Sequence, residues 1–232
     1  PLGKSASLAN RIQKLDATIS NGSFRNLPNQ MNVDDAELVM DISTDNSQIT
    51  GTATVYGAPS KISLEIDHKT RHVELIGQAP PSALLTTIIA KKFDIDIAGS
   101  IGGKIEYSGD LLMQEAKIGM TVDLGSTSIN VPELGWNKSL AEDGRVTLTI
   151  LRSKDKVTSL QKINLAVGSL SGIGQIEFGS TDKVQEAFFE RAKWPDNDVR
   201  DLIIRRNSSA SWTVEGRARV LTLLPILKNE GF

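Results

Sequence analysis

Two pairs of side chains have types and spacings that could bind a metal ion or transfer protons. His68 and His72 flank a predicted turn and could face each other across a hairpin. Asp94 and Asp96 share one face of a short predicted strand, where two carboxylates could hold Ca²⁺ or act as an acid and a base. Neither pair has an evident third ligand, and both are interpreted as solvated surface residues. We therefore predict no catalytic site, no metal site and no cofactor.

The composition excludes several classes of protein. The 232 residues include 26 basic and 28 acidic side chains, a net charge of −2, so the chain has no basic field that would attract nucleic acid. It contains no cysteine, which excludes disulfides, thiolate metal sites and cysteine nucleophiles. No run approaches the roughly 18 consecutive apolar residues of a membrane-spanning helix. The hydrophobic pattern therefore carries most of the information about function.

Apolar and polar residues alternate with a period of two over most of the chain. Between Lys61 and Asp67, the alternation places Ile62, Leu64 and Ile66 on one face of a strand. The same pattern recurs about a dozen times between residues 35 and 220, separated by polar turns. It predicts one long antiparallel meander with an apolar face and a polar face.

The predicted elements are almost all strands. We place strands at residues 36–44, 48–56, 61–67, 71–78, 104–107, 115–124, 128–131, 145–152, 158–167, 172–178, 184–191, 199–206 and 210–220. Residues 81–92 form the one convincing helix, with prolines at its start, Ser82 as a possible cap and lysines in its last turn. Residues 8–20 fit both a helical and a strand period, and we favour a strand. The fold class is thus mainly all-β, an extended antiparallel sheet with one short helix.

The apolar face of such a sheet must be covered by helices, by a second sheet, by closure of the sheet on itself, or by something that is not protein. One short helix cannot cover a dozen strands. Eleven aliphatic side chains are the candidates for lining a hydrophobic groove: Ile62, Leu64, Ile66, Val73, Leu75, Val146, Leu148, Ile150, Ile163, Leu165 and Val167. The same side chains could instead belong to an ordinary protein core.

Three segments of the chain resemble elements of one known family. The segment from Asp123 to Lys138 is similar to a strand-to-turn element of AsmA-like envelope proteins of the YhdP kind. Gly51 to Pro59 resembles a strand of that family that ends in Gly-x-Pro, and Trp212 to Arg217 precedes a Leu-rich stretch as it does there. After the tryptophan the family commonly has Lys-Pro, where this chain has Lys138 followed by serine. The residues that carry the first similarity are Val131, Pro132, Leu134, Gly135, Trp136 and Lys138.

The residues of this element have a structural interpretation of their own. Pro132 has no N–H to donate and would end or bulge a strand, and Gly135 permits an unusual turn. Trp136 can fold back as an apolar anchor. We therefore expect the element to be structural and not a direct binding site.

The resemblance implies more than the pattern does. AsmA-like proteins, with TamB and the bridge-like lipid transfer proteins, look like curved, taco-shaped β-grooves whose aliphatic face carries phospholipid acyl chains between membranes. The resemblance thus implies phospholipid transport between the inner and outer membranes of a Gram-negative bacterium. It places the chain in the periplasm, as part of a protein anchored in the inner membrane.

Two expectations about organisation accompany this hypothesis. Residues 1–3 look like a tag remnant, and residues 4–232 are expected to form a single groove segment of a longer protein, able to pair with a second copy through an edge strand or the groove. The alternative is a closed β-sandwich or barrel that serves as a structural or protein-interaction module in outer-membrane biogenesis. In that alternative the apolar face is consumed as the core of the module.

Overall fold

The computed structural model describes residues 14–27, 31–55, 57–93, 96–112, 114–132, 135–154, 156–179, 183–208 and 211–220. The expectation about residues 1–3 lies outside this range, as do Asp94 and Leu134.

Thirteen strands form one antiparallel meander, in the order β1-β2-β3-β4-β5-β7-β8-β11-β12-β13-β14-β15-β16. Its first half consists of β1 (Lys14–Leu27), β2 (Met31–Ser43), β3 (Asn46–Val55), β4 (Ala58–Asp67), β5 (His72–Ser82) and β7 (Ile101–Asp110). Its second half consists of β8 (Glu115–Asp123), β11 (Gly144–Ser153), β12 (Lys156–Val167), β13 (Leu170–Phe178), β14 (Val184–Trp194), β15 (Asn197–Arg206) and β16 (Trp212–Val220).

A small second unit interrupts the meander twice at the same side. The helix α1 (Ala83–Phe93) and the strand β6 (Asp96–Gly99) lie between β5 and β7, and β9 (Thr127–Val131) and β10 (Trp136–Lys138) lie between β8 and β11. The three short strands pair in the order β10-β9-β6. We call β6, β9 and β10 the cap. Among the described residues, α1 is the longest helix, and its eleven residues are too few to cross a bilayer.

The structure confirms a mainly all-β fold built as a curved antiparallel groove. The sheet is not closed into a barrel, since β1 and β16 lie at its two ends and do not pair with each other. At about 4.8 Å between strands and about 3.3 Å per residue, it is roughly 60 Å long and roughly 33 Å wide. The sheet of the described residues is therefore open at β1 and β16.

The helix begins later than its sequence pattern predicts. Pro80 and Pro81 belong to β5, which runs to Ser82, and α1 starts at Ala83. Ser82 acts as the cap, because its Oγ accepts a hydrogen bond from the backbone N–H of Leu85 at 3.5 Å. Residues 14–20, within the ambiguous segment, form part of β1, as favoured from the sequence.

β-Bulges keep the apolar residues on one face where the sequence changes phase, and four of them contain a residue with a left-handed backbone. Asn21, Asp35, Lys162 and Asp201 lie inside strands with left-handed backbones, at φ values of 52°, 49°, 50° and 48°, where the strand register shifts. Each is a polar residue between two residues that share the apolar face at a spacing of three, namely Ile19 and Gly22, Val33 and Ala36, Leu160 and Ile163, and Val199 and Leu202. A bulge inserts one extra residue and bends its strand, so these positions both restore the alternation and help to curve the sheet.

The bulge at Asp35 requires a glycine on the neighbouring strand. Gly51 has a φ of 155°, and a Cβ added there would overlap the carbonyl oxygen of Glu37, just after the bulge. Gly77, on the same face two strands away, has no atom within 4 Å of an added Cβ. Gly51 is therefore required for close backbone approach, whereas Gly77 is not.

We predict that Gly51→Ala lowers the free energy of unfolding by about 2 kcal/mol or more, because the β2–β3 pairing must open to admit the methyl group. The matched substitution Gly77→Ala should leave stability unchanged or slightly raised. Urea unfolding followed by circular dichroism measures both. Equal stabilities of the two variants would show that the bulge does not constrain this site.

Candidate functional site

A continuous ladder of apolar side chains crosses every strand of the large sheet. Successive register pairs join one residue from each strand, and paired residues of an antiparallel sheet share a face. The ladder consists of Ala17, Met40, Ile49, Leu64, Leu75, Tyr107, Ile118, Ile150, Leu160, Ile176, Ala187, Ile204 and Val214. We call the face that carries it the apolar face.

The adjacent ladder, one residue along each strand, is almost entirely polar and defines the outer face. It consists of Asp16, Asp41, Gln48, Glu65, Glu74, Ser108, Lys117, Leu151, Ser159, Glu177, Glu186, Arg205 and Thr213. Only Leu151 is apolar among these thirteen residues. The two faces therefore differ in polarity over the whole length of the described sheet.

All eleven side chains predicted to line a groove lie on the apolar face. On β4 and β5, Leu64 pairs with Leu75, Ile66 pairs with Val73, and Ile62 is opposite Gly77. On β11 and β12, Val146 pairs with Leu165, while Leu148 and Ile150 occupy the next apolar positions of β11. Ile163 and Val167 flank Leu165 at alternate positions of β12.

Most of the apolar face is half-buried, and the described residues form no second layer over it. On β2, Val33, Ala36 and Leu38 are buried whereas Glu37 and Val39 on the outer face are exposed. The buried side chains pack against Ile19, Ile49 and Ile62 from neighbouring strands of the same face, which accounts for this difference. Towards the middle, Leu148, Ile150, Ile118 and Met120 remain partly exposed, although they are aliphatic or thioether side chains.

Among the described residues, the cap covers the apolar face at one rim. Ile129 and Trp136 are buried in a cluster with Ile101, Leu124 and Val167. Val122, Val146 and Leu165 pack against this cluster from the large sheet. Of the eleven candidates, Val167 thus belongs to a local core, and Val146 and Leu165 adjoin it, whereas the others lie outside this cluster.

We call the edge at the cap the cap rim and the edge formed by the hairpins β2–β3, β4–β5, β7–β8, β11–β12, β13–β14 and β15–β16 the distal rim.

The family-like element forms part of the cap and is structural in its contacts. Strand β9 ends at Val131, immediately before Pro132, and Gly135 has a φ of 58°. Trp136 is 4% exposed, and its Nε1 donates a hydrogen bond to Ser169 Oγ at 3.1 Å, which ties the cap to the β12–β13 turn.

Lys138 is the largest fully buried side chain of the same element. It is 2% exposed, and its ammonium donates hydrogen bonds to the carbonyl oxygens of Thr127 at 2.6 Å and Ser139 at 3.0 Å. The aliphatic stem thus fills the inside of the cap while the charge is satisfied by backbone carbonyls. This arrangement holds β9 and β10 together beyond their short ladder.

The distal rim carries polar groups that the sequence analysis did not assign to the groove. Arg152 follows Ile150 on the apolar face of β11, and Arg206 pairs with Trp212 on the same face of β15 and β16. Tyr107, in the apolar ladder, lies near Arg152: burial and the Asp110 carboxylate raise the pKa of the phenol, and the positive charge of Arg152 opposes the rise. The alternation along β11 from Val146 was sufficient to predict that Arg152 lies on the apolar face.

The histidines do not form a metal pair. His68 contacts Ser47 Oγ at 2.9 Å and the Thr44 carbonyl oxygen at 3.3 Å, whereas His72 contacts Ser108 Oγ at 3.2 Å on the outer face. Asp96 is exposed and accepts a hydrogen bond from Asn130 Nδ2 at 3.4 Å. Within the described part of the chain, no three His, Asp or Glu side chains are grouped so that they could hold a metal ion.

A depression on the outer face gathers charges of both signs. It has a volume of about 640 Å³, and its charged lining residues are Lys104, Asp123, Asp143 and Arg145. The Asp123 carboxylate accepts a hydrogen bond from the Gly125 N–H at 2.9 Å, and the Lys104 ammonium pairs with Glu106 at 2.6 Å. Two of these four charged side chains thus bind neighbouring groups of the fold.

Comparisons with known proteins identify no relative. The chain matches no protein-family model, no curated protein and no solved structure. The functional argument therefore rests on the geometry of the apolar face, and the likeness to AsmA-like proteins rests on the sequence elements alone.

We predict that Lys138→Met lowers the free energy of unfolding by about 1–3 kcal/mol, because the carbonyl oxygens of Thr127 and Ser139 lose their buried donor. Lys117→Met, on the exposed outer face, is the matched control and should be neutral within about 0.5 kcal/mol. Denaturant midpoints of the two variants give the comparison. A Lys138 variant as stable as the control would mean that the ammonium contributes nothing to the cap.

Proposed function

We propose that the groove binds the acyl chains of phospholipids and shields them from water, so that lipids can pass along it between membranes. The observation that carries the proposal is the apolar ladder through all thirteen strands, on a face that, within the described part of the chain, the cap covers at one rim. A structural module would be expected to bury such a face under its own second layer.

The energetics favour an apolar occupant. Apolar surface left in water costs about 25 cal/mol per Å², and large exposed apolar patches in proteins mark sites of interaction. Leu148, Ile150 and Ile118 lie side by side on neighbouring strands and are each partly exposed. Hydrocarbon chains placed across them would remove both surfaces from water without requiring a hydrogen bond.

The chemistry of the face suits sliding better than tight capture. The ladder is aliphatic apart from Met40 and Tyr107, and the formally charged side chains of the apolar face lie at its distal rim. Acyl chains would therefore make similar contacts at each strand, and no single strand would bind them much more tightly than the others. Passive shielding of this kind needs no catalytic group, metal or cofactor.

The cellular setting of the proposal comes from the sequence resemblance. On that basis the chain is a periplasmic part of an inner-membrane-anchored protein of a Gram-negative bacterium, and the lipids move between the inner and outer membranes. The partners are then phospholipid acyl chains and, through another part of the parent protein, the inner membrane.

A second candidate function is supported by the two ends of the sheet. Strands β1 and β16 each have one edge without a strand partner among the described residues. Such an edge can accept a strand of another chain, including a second copy of this one. In this alternative the chain is a protein-interaction module in envelope assembly, and it would carry no lipid.

We predict that Leu148→Glu removes co-purifying phospholipid, reducing lipid per protein at least about tenfold, because it places an unpaired carboxylate among acyl chains. Thr149→Glu places the same charge on the outer face of the same strand and should retain lipid. Native mass spectrometry of protein purified without detergent, followed by organic extraction, measures the bound lipid.

Circular dichroism and thermal unfolding must show that both variants remain folded. Lipid-free wild-type protein that also fails to take up lipid from vesicles would overturn the proposal in favour of the interaction module. Equal lipid in the two folded variants would show that the acyl chains do not lie on the apolar face.

A further inference from the structure

We propose that the two rims of the groove bind different parts of the lipid. The distal rim binds the phosphate of the lipid headgroup through Arg152, and the acyl chains extend from there towards the cap rim. This inference rests on the proposed function and adds the headgroup class and the orientation of the lipid. It follows from where the charged side chains of the apolar face lie.

The two charges of the apolar face are both arginines and both lie at the distal rim. Among the described residues that register pairs assign to this face of the thirteen strands, Arg152 and Arg206 are the charged ones. Arg152 is the second-last residue of β11, and Arg206 is the last residue of β15. Both strands end at the distal rim, so the cations share one side of the groove.

Small residues flank Arg152 on the apolar face. Its cross-strand neighbour on β8 is Ala116, and Ala116 is in turn opposite Gly109 on β7. Both small residues are buried, and the Tyr107 ring lies against Gly109, with its hydroxyl donating a hydrogen bond to the Asp110 carbonyl oxygen at 3.4 Å. A headgroup at Arg152 would therefore lie beside the Tyr107 ring, with its chains on the aliphatic ladder.

The guanidinium of Arg152 lacks a protein partner in the described part of the chain. The side chain is half-buried, yet no hydrogen bond or ion pair to it is found among those residues. The nearest rim carboxylates serve other groups: Asp110 accepts hydrogen bonds from the backbone N–H groups of Gln114 at 2.9 Å and Glu115 at 3.1 Å, and Glu115 accepts one from Ser153 Oγ at 2.7 Å. An arginine forms bidentate hydrogen bonds with phosphate, and that interaction would satisfy this guanidinium.

Arg206 provides a second cation at the same rim, held in place by the fold. Its guanidinium lies 5.4 Å from the centre of the Trp212 ring, and its Nε donates a hydrogen bond to the Ser208 carbonyl oxygen at 3.0 Å. It is four strands from Arg152, roughly 19 Å along the sheet. A phosphate moving along the distal rim would thus pass two positive charges, at Arg152 and at Arg206.

The cap rim is apolar and suits the ends of the acyl chains. There Ile129 and Trp136 of the cap belong to a buried cluster against which Val146 and Leu165 pack, so that part of the apolar face is shielded from water. No charged side chain of the apolar face lies on that side among the register-paired residues of the described sheet. The ends of acyl chains fit this enclosed rim, and a phosphate does not.

The test compares two amphiphiles that share an acyl chain. We expect myristoyl lysophosphatidylglycerol to bind the purified chain more tightly than monomyristoylglycerol. Arg152→Gln should reduce the ratio of the two affinities about tenfold. Binding of monomyristoylglycerol should be unchanged in that variant. Arg145→Gln, which removes the same side chain from the outer face of the same strand, should change neither affinity. Inorganic phosphate should not displace the lysolipid at millimolar concentration.

The outcomes separate the inference from the proposed function. If neither amphiphile binds the wild-type chain, the groove function and the orientation both fail. If both bind and Arg152→Gln has no selective effect, the groove function stands and the headgroup assignment is wrong. Displacement of the lysolipid by inorganic phosphate would indicate an anion site that does not depend on the acyl chain, and would also overturn the assignment.

The orientation has its own readout. A lysophosphatidylglycerol with a photoreactive diazirine at the end of its acyl chain should label peptides of the cap rim, from β9, β10 or the start of β11. A headgroup diazirine should label peptides of the distal rim, around the end of β11. If the tail probe labelled the distal rim and the headgroup probe labelled the cap rim, the proposed direction of the lipid would be wrong.

Discussion

The structure depends on one constraint, the phase of side-chain alternation in the large sheet. A slip of one residue in any strand would turn its apolar side chains to the outer face and break the apolar ladder there. The ladder nevertheless passes through all thirteen strands from Ala17 to Val214. Where the sequence drifts out of phase, at Asn21, Asp35, Lys162 and Asp201, a bulge absorbs the extra residue. The polar residue of each bulge tolerates the left-handed backbone and leaves the apolar neighbours on the groove side.

The same bulges help to explain why the sheet is a groove and not a flat layer. A bulge bends its strand and increases its twist, and close backbone approach at glycines such as Gly51 lets adjacent strands follow the bend. Side chains of the apolar face pack against one another across β1 to β4, so that Ala36 and Leu38 are buried with no covering layer among the described residues. The fold thus shields part of its apolar surface by contacts within one face, while the middle of that face stays partly exposed.

The cap makes the two rims different. Its short strands have little ladder of their own, and they depend on buried contacts through Trp136 and Lys138. By closing one rim with aliphatic and aromatic side chains, the cap leaves the distal rim as the side at which polar groups of a bound amphiphile would reach solvent. The arginines of the apolar face lie on that side. The binding and orientation hypotheses therefore share a single structural basis, the asymmetry of the groove across its width.

The amino-acid sequence by itself determined the class of the fold and most of its strands, because alternation of period two is a local property that neighbouring residues record. It also placed the eleven aliphatic candidates correctly relative to one another within each strand, and the residue types of Pro132, Gly135 and Trp136 indicated a structural turn. Tertiary structure decided which strands share a face, since that depends on register between segments distant in the chain. It alone placed Leu160 beside Ile163 on one face through the bulge at Lys162, buried Val167 beneath the cap, and left Arg152 among aliphatic side chains without a partner in the described chain. Such relations are non-local, and no pattern within a single strand contains them.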